Sequence, residues 1–424
     1  MGKSTNMCFR TNIGNARLVG LETDLSMTGD QYNLSLTIFF VSYSVFEPLT
    51  NVLLKKMRPS IFIPLIMMAW GLCMTFMGFV HNYSGLLAVR FFLGLSEAGL
   101  FPGVGYLLSC WYKRSEFGLR MAIFFSAAAL AGSFGGLLAA AIGKMDGIGG
   151  KAGWSWIFIL EGLLTFVIGI ASFWCVHDFP DQARFLSDID RKRVLRRLAL
   201  DQQASAKHEE FKIGYLWASL KDWKTYSACL TYMGASGYSS IRAQLMSVPP
   251  YAAAAVMTVS VGFIADHTRQ RGLCNLAVSL LCIAGFAIII GCKSPGAKYA
   301  GVFLGAMGIY PAIANTISWT SNNTEGVYKR GITLGLVIGW GNVNGIVASN
   351  IYRKQDKPHY YPGHAVVLGY LTLFQFGGSL ILYFLLRREN DKRRRGERDY
   401  VIVGMDQSQI DMLGDKRPDF IYTL

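Results

Sequence analysis

The sequence predicts an all-α polytopic membrane protein built as two six-helix halves, and three observations carry the prediction. Of 424 residues, 52% are hydrophobic and only 16% charged, with a mean hydropathy of +0.32; soluble domains carry about 25% charge. The apolar residues gather in ten runs long enough to cross a hydrocarbon core of about 30 Å as helices. The third observation is an internal repeat. FFLGLSEAGLFPGVGYLLSCWYKR (91–114) resembles VFLGAMGIYPAIANTISW (302–319), with Pro102 and Pro311 offset by 209 residues.

The runs are 31–54, 61–80, 85–112, 121–142, 156–176, 246–264, 273–292, 299–319, 331–352 and 365–386. Helices are expected because lipid offers the backbone no other partners. An eleventh run, Tyr226 to Gly237, would rise only roughly 18 Å and cannot cross unaided. Trp111, Trp154, Trp156 and Trp319 stand at run ends, where interfacial anchors are expected. Two polar segments interrupt the pattern. Residues 177–222 hold DIDRKRVLRRLALDQQ, expected as an amphipathic helix in a central loop, and residues 387–424 form a tail beginning RRENDKRRRGER. Both read as a solvated cytoplasmic face, with anionic-lipid binding by Lys392 to Arg395 as the alternative. The chain therefore divides into 1–176, 177–222, 223–386 and 387–424.

A net charge of +14 is carried by short segments between apolar runs, as the positive-inside rule requires. No basic globular domain remains to bind nucleic acid. The expected partners are the bilayer and a small organic anion, with the protein itself a monomer. Cys73, Cys110, Cys175, Cys229, Cys274, Cys282 and Cys292 lie in or beside apolar runs and read as small hydrophobes. The six histidines show no metal-ligand spacing, and no nucleophile–base constellation suggests an enzyme. No cofactor is expected beyond a proton gradient. The amino terminus has no apolar signal-peptide core, and Asn6 breaks the myristoylation pattern.

GFIADHTRQRG closes an apolar helix with Gly262, Asp266, Arg269 and Arg271. It resembles the G-x-x-x-D-(R/K)-x-G-(R/K) loop of the major facilitator superfamily, with departures at His267 and Arg269. The aspartate can cap the next helix and pair with a cation in one of two conformations, making a gate latch; the alternative is an ordinary charged turn. The matching first-half loop, LLKKMRPS, keeps only the cations.

Longer segments sharpen the resemblance. RTNIGNA (10–16), RFFLGLSEAGLFPG (90–103), WYKRSEFGLRMAIFFSAAALAG (111–132), WIFILEG (156–162), SVPPYA (247–252), ISWTSNN (317–323), ASNIY (348–352) and the terminal DKRPDFIYTL are similar to the fungal anion:cation symporter family. The similarity covers nearly the whole chain and is greatest to its high-affinity nicotinate transporters. It implies a major facilitator fold and proton-coupled uptake of a small carboxylate such as nicotinate across the plasma membrane. Arg90 and Glu97 are ionisable groups at membrane depth, which are rare and functional by default. Their spacing of seven places them on one helix side, about 10 Å apart, with Gly94 expected to leave room for a ligand between them. Carried over from related carboxylate symporters, Arg90 would bind the substrate carboxylate and Glu97 would take the proton.

Other candidates are less specific. Glu161 reads as either a structural or a proton-coupling carboxylate. Glu47-Pro48 resembles a family element near a cytoplasmic helix end, a gate or loop-facing pair. Asn342, Asn344 and Asn350 either line the cavity or bond across helices. Tyr310-Pro311 is expected to break its helix at the site. The triplet Asn322-Asn323-Thr324 matches a glycosylation acceptor but falls on the cytosolic side and is expected to be unused.

Two departures from the family stand out. Relatives carry a complete first helix ending in Asp-Arg, whereas here Phe9 occupies the Asp position and leaves Arg10. TYMGA also runs almost directly into SGYSS, so the first and seventh helices are both expected to be truncated. The second truncation raises a parity problem. Either the 262–272 loop lies on the wrong side, or residues 225–264 cross twice with almost no turn. A transport-dead sensor or partner protein is the alternative function.

Overall fold

The computed structural model describes residues 5–183, 185–200, 213–235, 248–351, 360–406, 409–410 and 413–424, and each of the ten runs is helical in it. In chain order the helices are α1 (Thr5–Leu18), α2 (Leu21–Asp24), α3 (Gly29–Lys56), α4 (Pro59–Met77), α5 (Tyr83–Glu97), α6 (Leu100–Trp111), α7 (Arg114–Ile142) and α8 (Gly153–Cys175). They continue with α9 (Asp188–Leu200), α10 (Ile213–Leu220), α11 (Trp223–Ala235), α12 (Val248–Thr268), α13 (Arg271–Gly291), α14 (Pro295–Asn322) and α15 (Val327–Ile351). The last run is α16 (Tyr361–Tyr370), a π turn (Leu371–Phe376) and α17 (Gly377–Arg394). Among the described residues no strand occurs. Helix starts follow local chemistry. Thr28 and Gln31 form a reciprocal capping box at α3, and Pro59 and Pro295 open α4 and α14, where a missing N–H costs nothing.

Small residues let the helices approach without a hydrophobic drive between them. A Cβ on Gly71 would come 2.7 Å from the Phe166 nitrogen, and one on Gly162 would come 2.5 Å from that of Thr75, so α4 and α8 cross almost backbone to backbone. The corresponding crossing in the second group joins α13 and α14 at Gly285 and Gly301. Between the groups, α3 lies along α15 and α7 along α12. One apolar cluster bridges them, joining Phe117, Met121, Phe124 and Phe125 of α7 to Cys229 and Tyr232 of α11 and to Ile317, Leu334 and Val337 beyond.

Within the described residues α1 has 14 residues and α11 has 13, and residues 1–4 and 236–247 beside them lie outside the described set. Of the two ways to resolve the parity problem, the contacts fit the second, in which residues 225–264 run out and back. Lys224, at the start of α11, donates to the Asn323 carbonyl at 2.9 Å. Asp266, at the end of α12, accepts from the Leu119 N–H near the start of α7 at 2.6 Å. The start of α7 in turn meets the end of α14, where Asn322 donates to the Arg114 carbonyl at 3.1 Å. So α11 begins and α12 ends on one face, which also carries Lys113, Arg114, Lys329, Arg330 and the α17 cluster. By the positive-inside rule this face is cytoplasmic. The residues between α11 and α12, including GYSSIRAQLM, lie outside the described set.

Two expectations about the surface need correction. Trp154 and Trp319 are not interfacial anchors. Both are buried, the first donating to Asp24 at 2.7 Å and the second to the Thr423 carbonyl at 2.8 Å. Nor is the end of the tail a solvated face, although Arg387, Arg388, Arg394 and Arg395 are exposed as expected. Phe420 and Tyr422 are buried with Trp319, Leu382 and Leu386, and Arg393 of the basic cluster is turned inward onto them. Asp415 is buried between Lys224 and Lys329, the latter 2.8 Å away, and Lys329 also reaches Asp222 at 2.7 Å. Burial alone would raise the Asp415 carboxyl, but the two lysines bring it down to about 2. Its contribution to stability is therefore complete above the ordinary carboxylate range near pH 4 and is lost as pH falls toward about 2. The central-loop helix α9 forms as expected, and its Arg197 pairs with Glu116 of α7.

Replacing Asp415 with alanine strands two buried ammonium groups on Asp222 alone. The expected cost is about 3 kcal/mol, measured as a lower unfolding temperature in detergent. Wild-type protein should hold the contact from pH 8 to 5, with hydrogen exchange at residues 414–424 unchanged across that range.

Candidate functional site

α5 and α6 form one span interrupted at its middle. Pro102 has no N–H to give the Ala98 carbonyl, so the helix ends at Glu97 and restarts at Leu100. Its repeat partner behaves differently: α14 runs unbroken through Pro311, against the expectation of a break at Tyr310-Pro311. Tyr310 instead packs its buried ring edge-on to Tyr251 of α12, with centroids 5.7 Å apart.

Arg90 and Glu97 are both buried on the inward side of α5, at 3% and 1% exposure. The Arg90 guanidinium stands 5.9 Å from the Phe39 ring of α3, on whose buried side Tyr32 also lies. The Nε and one Nη of Arg90 have no hydrogen-bond partner among the described residues. A buried guanidinium so placed has donors to spare for an anion. Gly94 does not make the room. A Cβ there would collide with Ser42 and the Phe39 carbonyl, so the glycine serves the close crossing of α3 and α5.

The remaining candidates fall into three places. Glu161 of α8 accepts from Asn12 of α1 at 2.5 Å, tying the short first helix to the bundle, while its second oxygen is buried without a hydrogen-bond partner. Glu47 does not face a loop. It is fully buried in α3, and Asn342 of α15 donates to it at 3.4 Å across the interface between the halves. Asn344 donates to the Met233 carbonyl of α11 at 2.8 Å, and Asn350 reaches Thr37 at 3.5 Å, so these amides bond between helices. The third place is the 262–272 loop. Asp266 pairs with Arg271, whose guanidinium also donates to Asn315 at 3.1 Å, and Asp266 accepts from the α7 backbone as above. Gly262 and Gly118 let α12 and α7 close around that pair; a Cβ on Gly262 would strike Ala122. Arg269 is exposed in a left-handed turn, φ 56°, and Arg271 is the arginine that meets Asp266.

Sequence reasoning missed Tyr32, Phe39 and Gln375. The first two are neighbours of Arg90 from another helix. Gln375 is fully buried in the π turn with neither amide atom hydrogen-bonded. The only available signal was a polar residue inside an apolar run. Among the described residues no cluster of His, Cys, Asp or Glu could hold a metal ion.

Paired helices across an α3–α15 and α7–α12 interface, buried ionisable groups in one half and a charged latch between the halves are the anatomy of a rocking-bundle carrier. Residues 2–349 match the Major Facilitator Superfamily. The chain belongs to the major facilitator superfamily. It is 35% identical to the MFS-type transporter cnsO of Penicillium expansum, covering 98% of this chain and 86% of that one. That alignment runs over 447 residues, more than the 424 present here, so the relative holds residues inside the match that this chain lacks. The chain is also 30% identical to the high-affinity nicotinic acid transporter of Saccharomyces cerevisiae, covering 97% and 80%. Among solved structures, a bacterial homologue of the human lysosomal transporter Spinster, inward-facing and occupied, superposes with a TM-score of 0.58 at 15% identity, covering 91% and 95%. The human organic anion transporter MFSD10 gives 0.58 at 14%, covering 90% and 97%. The protein is thus a multi-pass membrane transporter of this superfamily.

Asp266→Ala should strand the Arg271 guanidinium at a cost of about 3 kcal/mol and loosen α12 from α7. Spin labels at Arg58, just before α4, and Thr268, the exposed last residue of α12, should then report a longer distance than in the wild type.

Proposed function

We propose that this transporter carries a small organic carboxylate, nicotinate being the first candidate, together with a proton across the plasma membrane. The observation that carries the reading is the buried Arg90 guanidinium with unused donors, one and a half to two turns from Glu97 at the helix break. Arg90 supplies a charge-assisted pair for the carboxylate, and the aromatic rings of Phe39 and Tyr32 suit a planar substituent. Glu97 takes the proton, so that substrate anion and proton enter together without adding net charge to the interior. The Asp266–Arg271 latch closes the cytoplasmic side while substrate enters from outside, and Glu47 with Asn342 keeps the two halves in register. The similarity to a nicotinic acid transporter supports the substrate class. A second reading, a membrane sensor that does not transport, draws on the short α1 and α11.

Purified protein in liposomes with an inward proton gradient separates these. Labelled nicotinate should accumulate, and collapse of the gradient should stop accumulation. Arg90→Gln should lose binding by roughly tenfold or more, as expected for removal of a charged hydrogen-bond donor. Glu97→Gln should retain binding and exchange yet fail to concentrate substrate with the gradient. Concentrative uptake by Glu97→Gln overturns the coupling assignment, and absence of uptake by wild type across a panel of carboxylates favours the sensor.

A further inference from the structure

The tail makes a dense set of polar contacts on the cytoplasmic face, and nothing in substrate transport accounts for it. Residues 420–424 run without helix along a groove between the ends of α14 and α17. Two asparagines read their main chain. Asn390 donates to the Tyr422 carbonyl at 2.8 Å and accepts from its N–H at 2.9 Å. Asn323 does the same for Thr423, at 2.9 and 2.8 Å, and Trp319 adds a third bond to that carbonyl at 2.8 Å. Each amide thereby offers one residue the donor and acceptor that a neighbouring strand would supply. The side chains follow the same period of two: Phe420 and Tyr422 are buried, while Ile421 between them is exposed. Upstream, Arg393 donates to the carbonyls of Asp415 and Arg417, both at 3.1 Å, and to that of Phe420, and Asp415 sits between Lys224 and Lys329.

All of those partners lie in the second half. From the first half comes Arg114, the first residue of α7. Its guanidinium lies 4.4 Å from the Phe420 ring, and one Nη reaches the Ile421 carbonyl and the Thr423 hydroxyl, each at 3.3 Å. We propose that residues 414–424 form the inside gate of the transporter, a strap docked on the second half that holds the first half closed through Arg114. The asymmetry of the contacts decides which side lets go. Short, paired bonds, those to Asn390 fully buried, anchor the strap to α14 and α17, whereas longer ones of 3.3 Å join it to Arg114. When the halves rock apart on the cytoplasmic side, the strap travels with the second half and Arg114 leaves Phe420. The groove is thus a receptor for the chain's own carboxy-terminal peptide. The inference rests on alternating access alone and not on the substrate or the proton.

Cys229 is a native reporter for this gate. It is buried in the apolar cluster that joins the halves, with its thiol against the Leu336 carbonyl, whereas Cys175 is exposed and serves as a control. Alkylation of each by a membrane-impermeant maleimide, added from the cytoplasmic side and quantified by mass spectrometry, reads gate opening without uptake. Arg114→Gln and a chain ending at Asp419 should each label Cys229 about tenfold faster than wild type, the shift expected when one closing contact is lost from a two-state equilibrium. Cys175 should not change. In the shortened protein, an excess of synthetic DFIYTL should restore slow labelling and a scrambled peptide should not. Cys229 rates within about twofold of wild type in Arg114→Gln would overturn the proposal. So would failure of the peptide to protect a shortened protein whose unfolding temperature matches wild type. If the shortened chain does not fold, Arg114→Gln decides alone.

Discussion

Among the described residues, most charges taken out of water are matched inside the protein, and that constraint organises the fold. The cost of leaving a buried ion unpaired is several kcal/mol, about the size of a domain's whole stability margin. Asp266 is matched by Arg271, Asp415 by two lysines, Glu325 by Arg417 at 3.1 Å, and Glu161 by Asn12. Several of these groups also join elements distant in sequence: Asp266 holds the Leu119 N–H of α7, Asp415 ties the tail to α11 and α15, and Glu161 ties α8 to α1. The polar interior is the part that chooses one arrangement of helices, since apolar faces in lipid discriminate weakly between neighbours. Against that background Arg90 is the exception, buried with donors that the protein itself does not use.

The internal repeat is symmetric in packing and asymmetric in chemistry. Both halves use glycine crossings, α4 with α8 and α13 with α14, and both contribute one helix to each of the two inter-half contacts. Only the first half carries an Arg and a Glu on the repeated segment, and only there does the proline interrupt the helix. In α14 the proline is absorbed, and its neighbour Tyr310 packs against Tyr251. A pseudo-twofold scaffold with one charged wall gives a carrier a binding side and a reference side, with rocking about the interface between them.

The ten long helices and the resemblance to the superfamily were legible in the sequence because both rest on local pattern. An uncharged run must become a helix in lipid whatever its neighbours do. The buried depth of Arg90 and Glu97 followed from the same logic. Gly94 was misread because a glycine between two charges looks like space, and whether it is space depends on which helix lies against it. The tail was misread because its basic opening, RRENDKRRRGER, dominates the composition and hides DFIYTL behind it. Glu47 looked loop-facing because its distance from the helix end was known and its facing helix was not.

By itself the sequence determined that the chain is a helical membrane protein of repeated halves, with an Arg–Glu pair on one inward helix face and a charged loop of the superfamily type. Composition and a period of 3.6 residues suffice for that, since each helix satisfies its own backbone. Only the tertiary structure decided what Gly94 is for, where Asp266 docks, and that α12 ends on the cytoplasmic face despite a 13-residue α11. It alone decided that the last residues are held by Asn390 and Asn323, 32 and 100 positions upstream. Such contacts pair groups whose separation along the chain carries no periodic signal, so they come into being only when the helices pack.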